Sequence, residues 1–163
     1  MKLQTDRLSI LPISTDHAPF MFYLMNSPEW KKFIGDRSIH SVDDALNYVQ
    51  KILRSVNTNY WIIQRKEDGK LVGVVSFLKR DYLEHFDIGF ALLPDHFGKG
   101  YAYEATSAVL DEVSKDSTHR EILATTLPEN VHSIKLIERL GLRFNRKHST
   151  ESTELYIFSK KLA

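Results

Sequence analysis

The chain has 163 residues, which suits one domain of ordinary size and is short for two. Its 22 Lys and Arg residues against 21 Asp and Glu give a formal net charge of +1, which argues against nucleic-acid binding by bulk positive charge. Cysteine is absent, and this excludes disulfides, a thiolate nucleophile, zinc sites with sulfur ligands and iron–sulfur clusters. We therefore predict one domain over residues 1–163 from a reducing compartment.

Apolar residues form no long run in this sequence. The apolar stretch near the N-terminus is four or five residues long, which is too short for the core of a signal peptide. Nowhere do about 18 apolar residues follow one another, as a membrane-spanning helix requires. We expect a cytoplasmic protein that contacts neither membrane nor nucleic acid.

The first third of the chain predicts one strand and two helices. Residues 7–13 alternate between apolar and polar and include Pro12, which indicates an edge strand. A helix beginning at Ser14 or Thr15 follows to about residue 25, and residues 29–41 predict a loop or a short helical turn. A second helix covers about residues 41–56, with its buried stripe formed by Ala45, Leu46, Val49 and Leu53.

The remaining sequence alternates between strands and helices. Residues 60–65 and 71–78 predict a hairpin around Asp68-Gly69, and residues 86–93 predict the next strand. A helix over 100–115, a strand over 121–127 and a helix over 131–140 ending at Gly141 come next, before strands near 143 and over 154–158. Antiparallel strands that lead into a βαβ crossover predict an α/β (α+β) fold. Its single mixed, mostly antiparallel twisted sheet has about seven strands, with helices on both faces.

The segment best suited to binding a ligand lies between the strand ending near residue 93 and the helix starting near residue 100. Gly98 and Gly100 precede a helix N-terminus, where unpaired backbone N–H groups attract phosphate and glycines allow close approach. A P-loop is excluded because Lys99 is followed by Gly100, and a dinucleotide fingerprint is excluded because Tyr103 stands where Gly or Ala is needed. In the preceding strand, Phe86, Ile88, Phe90 and Leu92 share one face, whereas His85, Asp87, Gly89 and Ala91 share the other.

Two motifs together resemble the GNAT acetyltransferase superfamily over nearly the whole chain. Residues 95–100 (DHFGKG) are similar to its acetyl-CoA loop, [Q/R]-x-x-G-x-[G/A], with Asp95 in place of Gln or Arg. Residues 130–142 (NVHSIKLIERLGL) are similar to its N-x-x-S-x-x-x-x-E-x-x-G-[FL] stretch. The opening T-x-R-L at residues 5–8 is similar to the branch that acetylates ribosomal-protein alanine N-termini. The resemblance implies acetyl-CoA as cosubstrate, bound by Phe90, Ala91, Leu92, His96, Phe97, Gly98, Lys99, Gly100, Tyr101, Ala102, Asn130 and Ser133.

The resemblance also implies direct transfer of an acetyl group to an amine in a ternary complex. Asp87 is the candidate proton acceptor and Ser133 the candidate hydrogen-bond donor to the leaving sulfur. Many members of the superfamily have a tyrosine acid seven residues after the Asn, but this chain has Ile137 there, which leaves Tyr101 or Tyr103 as substitutes. Simpler interpretations stay open, because Asn130 is also an ordinary helix cap and Asp87 an ordinary ion-pair partner. The seven histidines show no ligand spacing, so we predict no metal site.

The acceptor amine is less constrained by sequence than the cosubstrate. Residues 26–40, the expected acceptor wall, mix Trp30, Phe33 and Ile34 with charges of both signs, so neither a polycation nor a polyanion is selected. A protein N-terminus is the leading hypothesis. A small-molecule amine (an antibiotic, a polyamine or an amino acid) and a CoA-binding module without catalysis are the alternatives. The oligomeric state, monomer or homodimer, also stays open.

Overall fold

A computed structural model describes residues 1–162. The centre of the protein is one eight-stranded sheet with the order β1-β2-β3-β4-β5-β6-β8-β7. The strands are β1 (Leu3–Gln4), β2 (Leu8–Pro12), β3 (Thr58–Arg65), β4 (Leu71–Leu78), β5 (Asp87–Leu92), β6 (Glu121–Thr126), β7 (Arg143–Ser149) and β8 (Glu154–Lys161). The helices are α1 (Ala18–Met25), α2 (Pro28–Phe33), α3 (Val42–Arg54), α4 (Tyr101–Val113) and α5 (Val131–Arg139). None of these helices is long and apolar enough to cross a membrane.

Neighbouring strands are antiparallel everywhere except at the centre, where β5 and β6 are parallel. These two strands pair only where Asp87 lies opposite Leu123, and the Leu123 N–H donates to the Phe86 carbonyl over 2.9 Å. Beyond that point neither strand pairs with the other. The sheet is therefore split between the remainder of β5 and β6, and the gap is where the site forms.

Local sequence signals account for the helix ends around this gap. The Ser41 hydroxyl accepts a hydrogen bond from the Asp44 N–H over 3.0 Å and caps α3. The Asn130 side chain caps α5 in the same way, by accepting from the Ser133 N–H over 3.3 Å. Gly141, with φ of +97°, ends α5 in the left-handed conformation that favours glycine.

Each face of the sheet has its own core, and β5 contributes to both. Ile88 belongs to the cluster under α4 and α5, and Phe86, Phe90 and Leu92 pack against it. Ala91 packs on the other face, against the cluster formed with α1, α2 and α3. The predicted division of β5 into two faces, and the prediction of helices on both sides of the sheet, are thus confirmed.

Two details differ from the sequence prediction. The sheet has eight strands because the two-residue strand β1 pairs with Ser9 and Ile10, so β2 is not the outermost strand. The stripe of α3 is also rotated from the predicted one. Leu53 is 50% exposed, whereas Ile52 is only 7% exposed and completes the buried row with Ala45 and Val49. The periodicity of α3 admits either residue, and packing against α1 selects Ile52.

Candidate active site

A cavity of about 1030 Å³ passes through the gap between β5 and β6. At one end it is lined by the loop before α4 and by the first turns of α4 and α5. At the other end it is lined by α2, α3 and the residues that follow β4. Asp87, at the point where the two strands part, and Thr125 of β6 lie between these ends. The cavity therefore connects two differently built compartments through the split sheet.

The loop before α4 presents an uninterrupted row of backbone donors. After the 3-10 turn Pro94–His96, Gly98 has φ of +74° and Gly100 has φ of +82°, and Gly100 starts α4. None of the N–H groups from residue 98 to residue 103 has a hydrogen-bond acceptor within residues 1–162. These free donors and the positive end of the α4 dipole fit a pyrophosphate, which agrees with the acetyl-CoA loop implied by the sequence.

The structure brings together ten of the twelve residues predicted to bind the cosubstrate. Those that line the cavity are Phe90, Ala91, Leu92, Phe97, Gly98, Gly100, Tyr101, Ala102, Asn130 and Ser133. Lys99 and His96 are outside the lining. Lys99 offers its carbonyl to Arg7 over 2.9 Å, and His96 is 91% buried beneath the loop, with its Nδ1 atom unpaired. Burial lowers the pKa of His96. The 3-10 turn directs this side chain inward, which the motif alone does not reveal.

An ionic cluster ties the N-terminal segment to the loop and to α4. The Glu104 carboxylate accepts hydrogen bonds from the Thr5 hydroxyl over 2.5 Å, from the Arg7 N–H over 3.1 Å and from Arg7 Nε over 2.8 Å. The same guanidinium donates to the Lys99 carbonyl and stacks on the Tyr101 ring at 4.5 Å. The T-x-R-L motif thus braces the row of donors. Sequence reasoning missed Glu104, whose only signal was an acidic residue in the first turn of a helix.

The α5 side of the cavity carries polar and basic groups. The side-chain Oδ1 atom of Asn130 caps the helix and thereby fixes the first turn, in which Ser133 lies half-buried against the cavity. Lys135 and Arg139 also line it, and the Arg139 guanidinium lies 3.8 Å above the Tyr103 ring of α4. Arg143 is outside the lining and donates to the carbonyls of Glu138 and Leu142.

Asp87 is buried at the parting of the strands, with 3% of its surface exposed. Its Oδ2 atom accepts from Arg80 Nε over 3.0 Å and from the Thr125 hydroxyl over 3.3 Å, whereas Oδ1 has no partner among residues 1–162. Burial raises the pKa of Asp87, although the Arg80 charge and these hydrogen bonds act in the opposite direction. A carboxylate with a raised pKa and one uncommitted oxygen is suited to accepting a proton.

The far end of the cavity only partly matches the predicted acceptor wall. Glu29, Trp30, Phe33, Ile34 and Arg37 line it, whereas the exposed Lys31, Lys32 and Asp36 do not. The opposite side, which the sequence did not predict, is formed by Tyr48, Lys51, Tyr60, Ser76 and Arg80. For α3 the signal was present in the sequence, because Tyr48, Lys51 and Ser55 have helical spacing beside the buried stripe. Within residues 1–162, no three His, Asp or Glu side chains are grouped closely enough to bind a metal ion.

Comparisons with known proteins agree with this geometry. Residues 7–143 match the family model described as acetyltransferase (GNAT) domain. The uncharacterized N-acetyltransferase YnaD of Bacillus subtilis is 28% identical over 143 residues, covering 88% of this chain and 83% of the relative.

Solved structures extend the likeness over the whole fold. The acetyltransferase (GNAT family) from Bacillus anthracis superposes with a TM-score of 0.82 and 25% identity, covering 99% of this chain and 98% of that one. The ribosomal-protein-S5-alanine acetyltransferase from Vibrio fischeri superposes with a TM-score of 0.85 over 99% of this chain and 97% of that one. At 16% identity, this second likeness is one of fold alone. The chain belongs to the GNAT acetyltransferase family and is an acetyl-CoA-dependent N-acetyltransferase.

Proposed function

We propose that the acceptor is the α-amine of a protein N-terminus, with Asp87 as proton acceptor and Ser133 as hydrogen-bond donor to the leaving sulfur. Acetyl-CoA supplies, when bound, an acetyl group activated as a thioester. The amine nitrogen forms a bond to the carbonyl carbon, the carbon–sulfur bond breaks, and one proton moves from the amine to Asp87. The sulfur leaves as a thiolate, which then takes up the proton held by Asp87 through water, so that the products are an N-acetylated amine and the free CoA thiol and Asp87 is again ionised.

The observation that carries this proposal is the position of Asp87. It lies where β5 and β6 part, between the donor row of the loop and the compartment under α2 and α3. Its raised pKa makes it a stronger base than an exposed aspartate. Because Oδ1 is buried and unpaired, we propose that a single water molecule relays the proton from the amine.

We choose an α-amine because Asp87, even with a raised pKa, is a weak base and suits an acceptor amine that is already partly neutral. An α-amino group has a pKa of about 7.7–8.0, so roughly a quarter of it is already neutral near pH 7.4. A lysine side chain, with a pKa of about 10.4, is neutral only about one time in a thousand there. Structures with the same fold that are described as acting on ribosomal proteins include a ribosomal-protein-S5-alanine acetyltransferase and a ribosomal L7/L12 α-N-protein acetyltransferase in complex with CoA.

Ser133 lines the same cavity as Asp87, from the first turn of α5. Its N–H is occupied by the Asn130 cap, whereas its hydroxyl has no partner within residues 1–162 and lies in a residue that lines the cavity. A CoA thiol has a pKa of roughly 8.5 by analogy with cysteine, so one hydrogen bond to the sulfur suffices without a strong acid.

A small amine is the second candidate, and the aromatic lining of the acceptor compartment favours it. Trp30, Phe33 and Tyr48 give that compartment apolar walls of the kind that small-ligand sites use.

The decisive experiment measures release of CoA thiol with matched acceptors. These are peptides with free N-termini, the same peptides with blocked N-termini and one internal Lys, and a set of small amines. The proposal predicts turnover with free N-termini and almost none with blocked ones. Preference for small amines would support the second candidate, and tight CoA binding without any turnover would indicate a binding module. Asp87→Asn should slow turnover by about 100-fold or more, whereas the exposed Asp111→Asn on α4 should not change it.

A further inference from the structure

Arg80 presents an unused edge to the acceptor compartment. It follows β4, and its Nε atom donates to Asp87 Oδ2 over 3.0 Å. Neither of its Nη atoms donates to any of residues 1–162, and the side chain is 34% exposed at the cavity wall. Asp87 thus fixes one side of the guanidinium and leaves the paired Nη donors available, in the fork geometry that matches a carboxylate.

The other charges of this compartment are also mainly positive. Arg37, from the segment between α2 and α3, and Lys51 of α3 line it, and neither forms an ion pair within residues 1–162. Its carboxylates are Glu29 and Asp87, and Asp87 is already paired with Arg80. Three basic groups against two carboxylates leave an excess of one positive charge.

Tyr60 lines the same compartment as Arg80 and Arg37. Burial raises the pKa of Tyr60 and its Tyr48 neighbour adds to this, while the charges of Arg80 and Arg37 oppose the shift. The register of the sheet explains why Tyr60 lies near Arg80, since Thr58 pairs with Leu78 and Leu78 with Asp87, two positions along from the row of Tyr60, Ser76 and Gly89. Arg80 and Arg37 therefore reach the same aromatic wall from two different elements.

A positive compartment has two consequences for an amine substrate. It disfavours the ammonium form, so it lowers the pKa of the bound amine and increases the nucleophilic fraction, and it repels polyamines. A substrate that carries a negative group beside its amine offsets this repulsion and provides the acceptor that the Arg80 fork lacks.

We propose that the free Nη edge of Arg80 is an anion subsite that binds a carboxylate located next to the acceptor amine. The inference rests on the proposed acetylation of an α-amine and narrows its substrates. Two sources supply this chemistry: an acidic side chain beside a peptide N-terminus, and the α-carboxylate of a free amino acid. Lys51 and Arg37 strengthen the field, whereas Arg80 makes the direct contact.

Matched substrates test the subsite and distinguish the two sources. The first pair is Ala-Asp and Ala-Asn dipeptides with amidated C-termini, which differ by one charge. The second pair is alanine and alaninamide, compared at equal concentrations of the neutral amine. We expect kcat/KM to favour the acid of at least one pair by about 10- to 100-fold, and the favoured pair identifies the source. A ratio near one for both pairs overturns the proposal.

Variants show whether Arg80 causes the preference. Arg80→Gln should reduce the ratio between acid and amide to near one, whereas a purely structural role would lower both rates equally and leave the ratio unchanged. Arg80→Lys keeps the charge beside Asp87 but lacks the fork, so it should fold normally and retain only part of the ratio. Arg54→Gln, an exposed change outside the cavity, is the control. A wild-type ratio in Arg80→Lys and in Arg80→Gln overturns the assignment.

Binding of a product analogue separates this proposal from the proposed function. The acetylated products of both pairs, N-acetyl-Ala-Asp amide with N-acetyl-Ala-Asn amide and N-acetylalanine with N-acetylalaninamide, are titrated into CoA-saturated protein by calorimetry. Tighter binding of the acid, lost in Arg80→Gln, supports the subsite even if no amine is acetylated. Absence of turnover would then count against the proposed function alone. Equal binding of both analogues, together with equal turnover, counts against the subsite alone.

Discussion

Glu104→Gln tests whether the T-x-R-L segment organises the loop before α4, which we propose binds the pyrophosphate of acetyl-CoA. Glu104 does not line the cavity, so the change does not touch a bound cosubstrate. It removes the negative charge that holds Arg7, whose guanidinium also donates to the Lys99 carbonyl and stacks on Tyr101. The prediction is weaker binding of CoA with little change in the rate of the chemical step.

The size of the effect follows from the contacts. A hydrogen bond to a charged group contributes about 1.5–3 kcal/mol, and the carboxylate accepts three of them. Two corrections reduce this figure, because glutamine keeps one acceptor oxygen and the Arg7 side chain is 47% exposed to solvent screening. We expect a loss of about 1–1.5 kcal/mol, which corresponds to a rise in the Kd for CoA of about 5- to 10-fold.

Calorimetric titration with CoA and steady-state kinetics measure the two quantities separately. KM for acetyl-CoA should rise with Kd, while kcat stays within about twofold of wild type. Glu112→Gln is the matched control, because Glu112 is on the same helix and pairs with Lys115 over 2.9 Å, away from the loop. An unchanged Kd in Glu104→Gln, or the same rise in both variants, would refute the bracing role.

Three further predictions concern the cavity itself. Gly100→Val places a β-branched residue at φ of +82°, with its Cβ 3.3 Å from Arg7 Nη2, and should abolish measurable CoA binding. The control is Gly69→Val, at φ of +74° in the β3–β4 turn, which has a similar backbone cost of about 1–2 kcal/mol and should still bind CoA. Because the pKa of Asp87 is raised, kcat/KM calculated on the concentration of the neutral amine should fall as the pH decreases through that raised value. On the same basis this acidic limb should be missing from the pH profile of Asp87→Asn, and a limb that persists would remove Asp87 as the base. Ser133→Ala keeps the backbone N–H that Asn130 caps, so its melting temperature should be unchanged while kcat falls about tenfold, and an unaltered kcat would assign Ser133 to the cap alone.

The sequence predicted the local parts of the site because they depend on short spacings. Gly98 and Gly100 before a helix, and Asn130 three residues before Ser133, are signals that fall within one turn or one loop. The structure places all four at the cavity, and their binding of acetyl-CoA stays a prediction. The alternation along β5 assigned Asp87 to the correct face for the same reason, since the side-chain period of a strand is fixed.

Contacts between distant segments could not be read from one sequence. Arg7 and Glu104 are 97 positions apart, and only the packing of β2 and the preceding segment against α4 brings them together. Arg80 meets Asp87 because the register of β4 and β5 sets Leu78 opposite Asp87. The contact between Arg80 and Asp87 leaves Oδ1 of Asp87 and the Nη atoms of Arg80 without partners within residues 1–162. The proposed acceptor chemistry can therefore be inferred only from the folded chain.

We infer that acetyl-CoA lies in the gap between β5 and β6 with its thioester beside Asp87. A crystal structure of the protein with CoA tests it most directly. We predict pyrophosphate oxygens within hydrogen-bonding distance of the backbone N–H groups of residues 98–103, and the thiol at the parting of the strands, facing Asp87 and Ser133. A pyrophosphate held away from this loop, or a thiol outside the gap, would contradict this placement of acetyl-CoA.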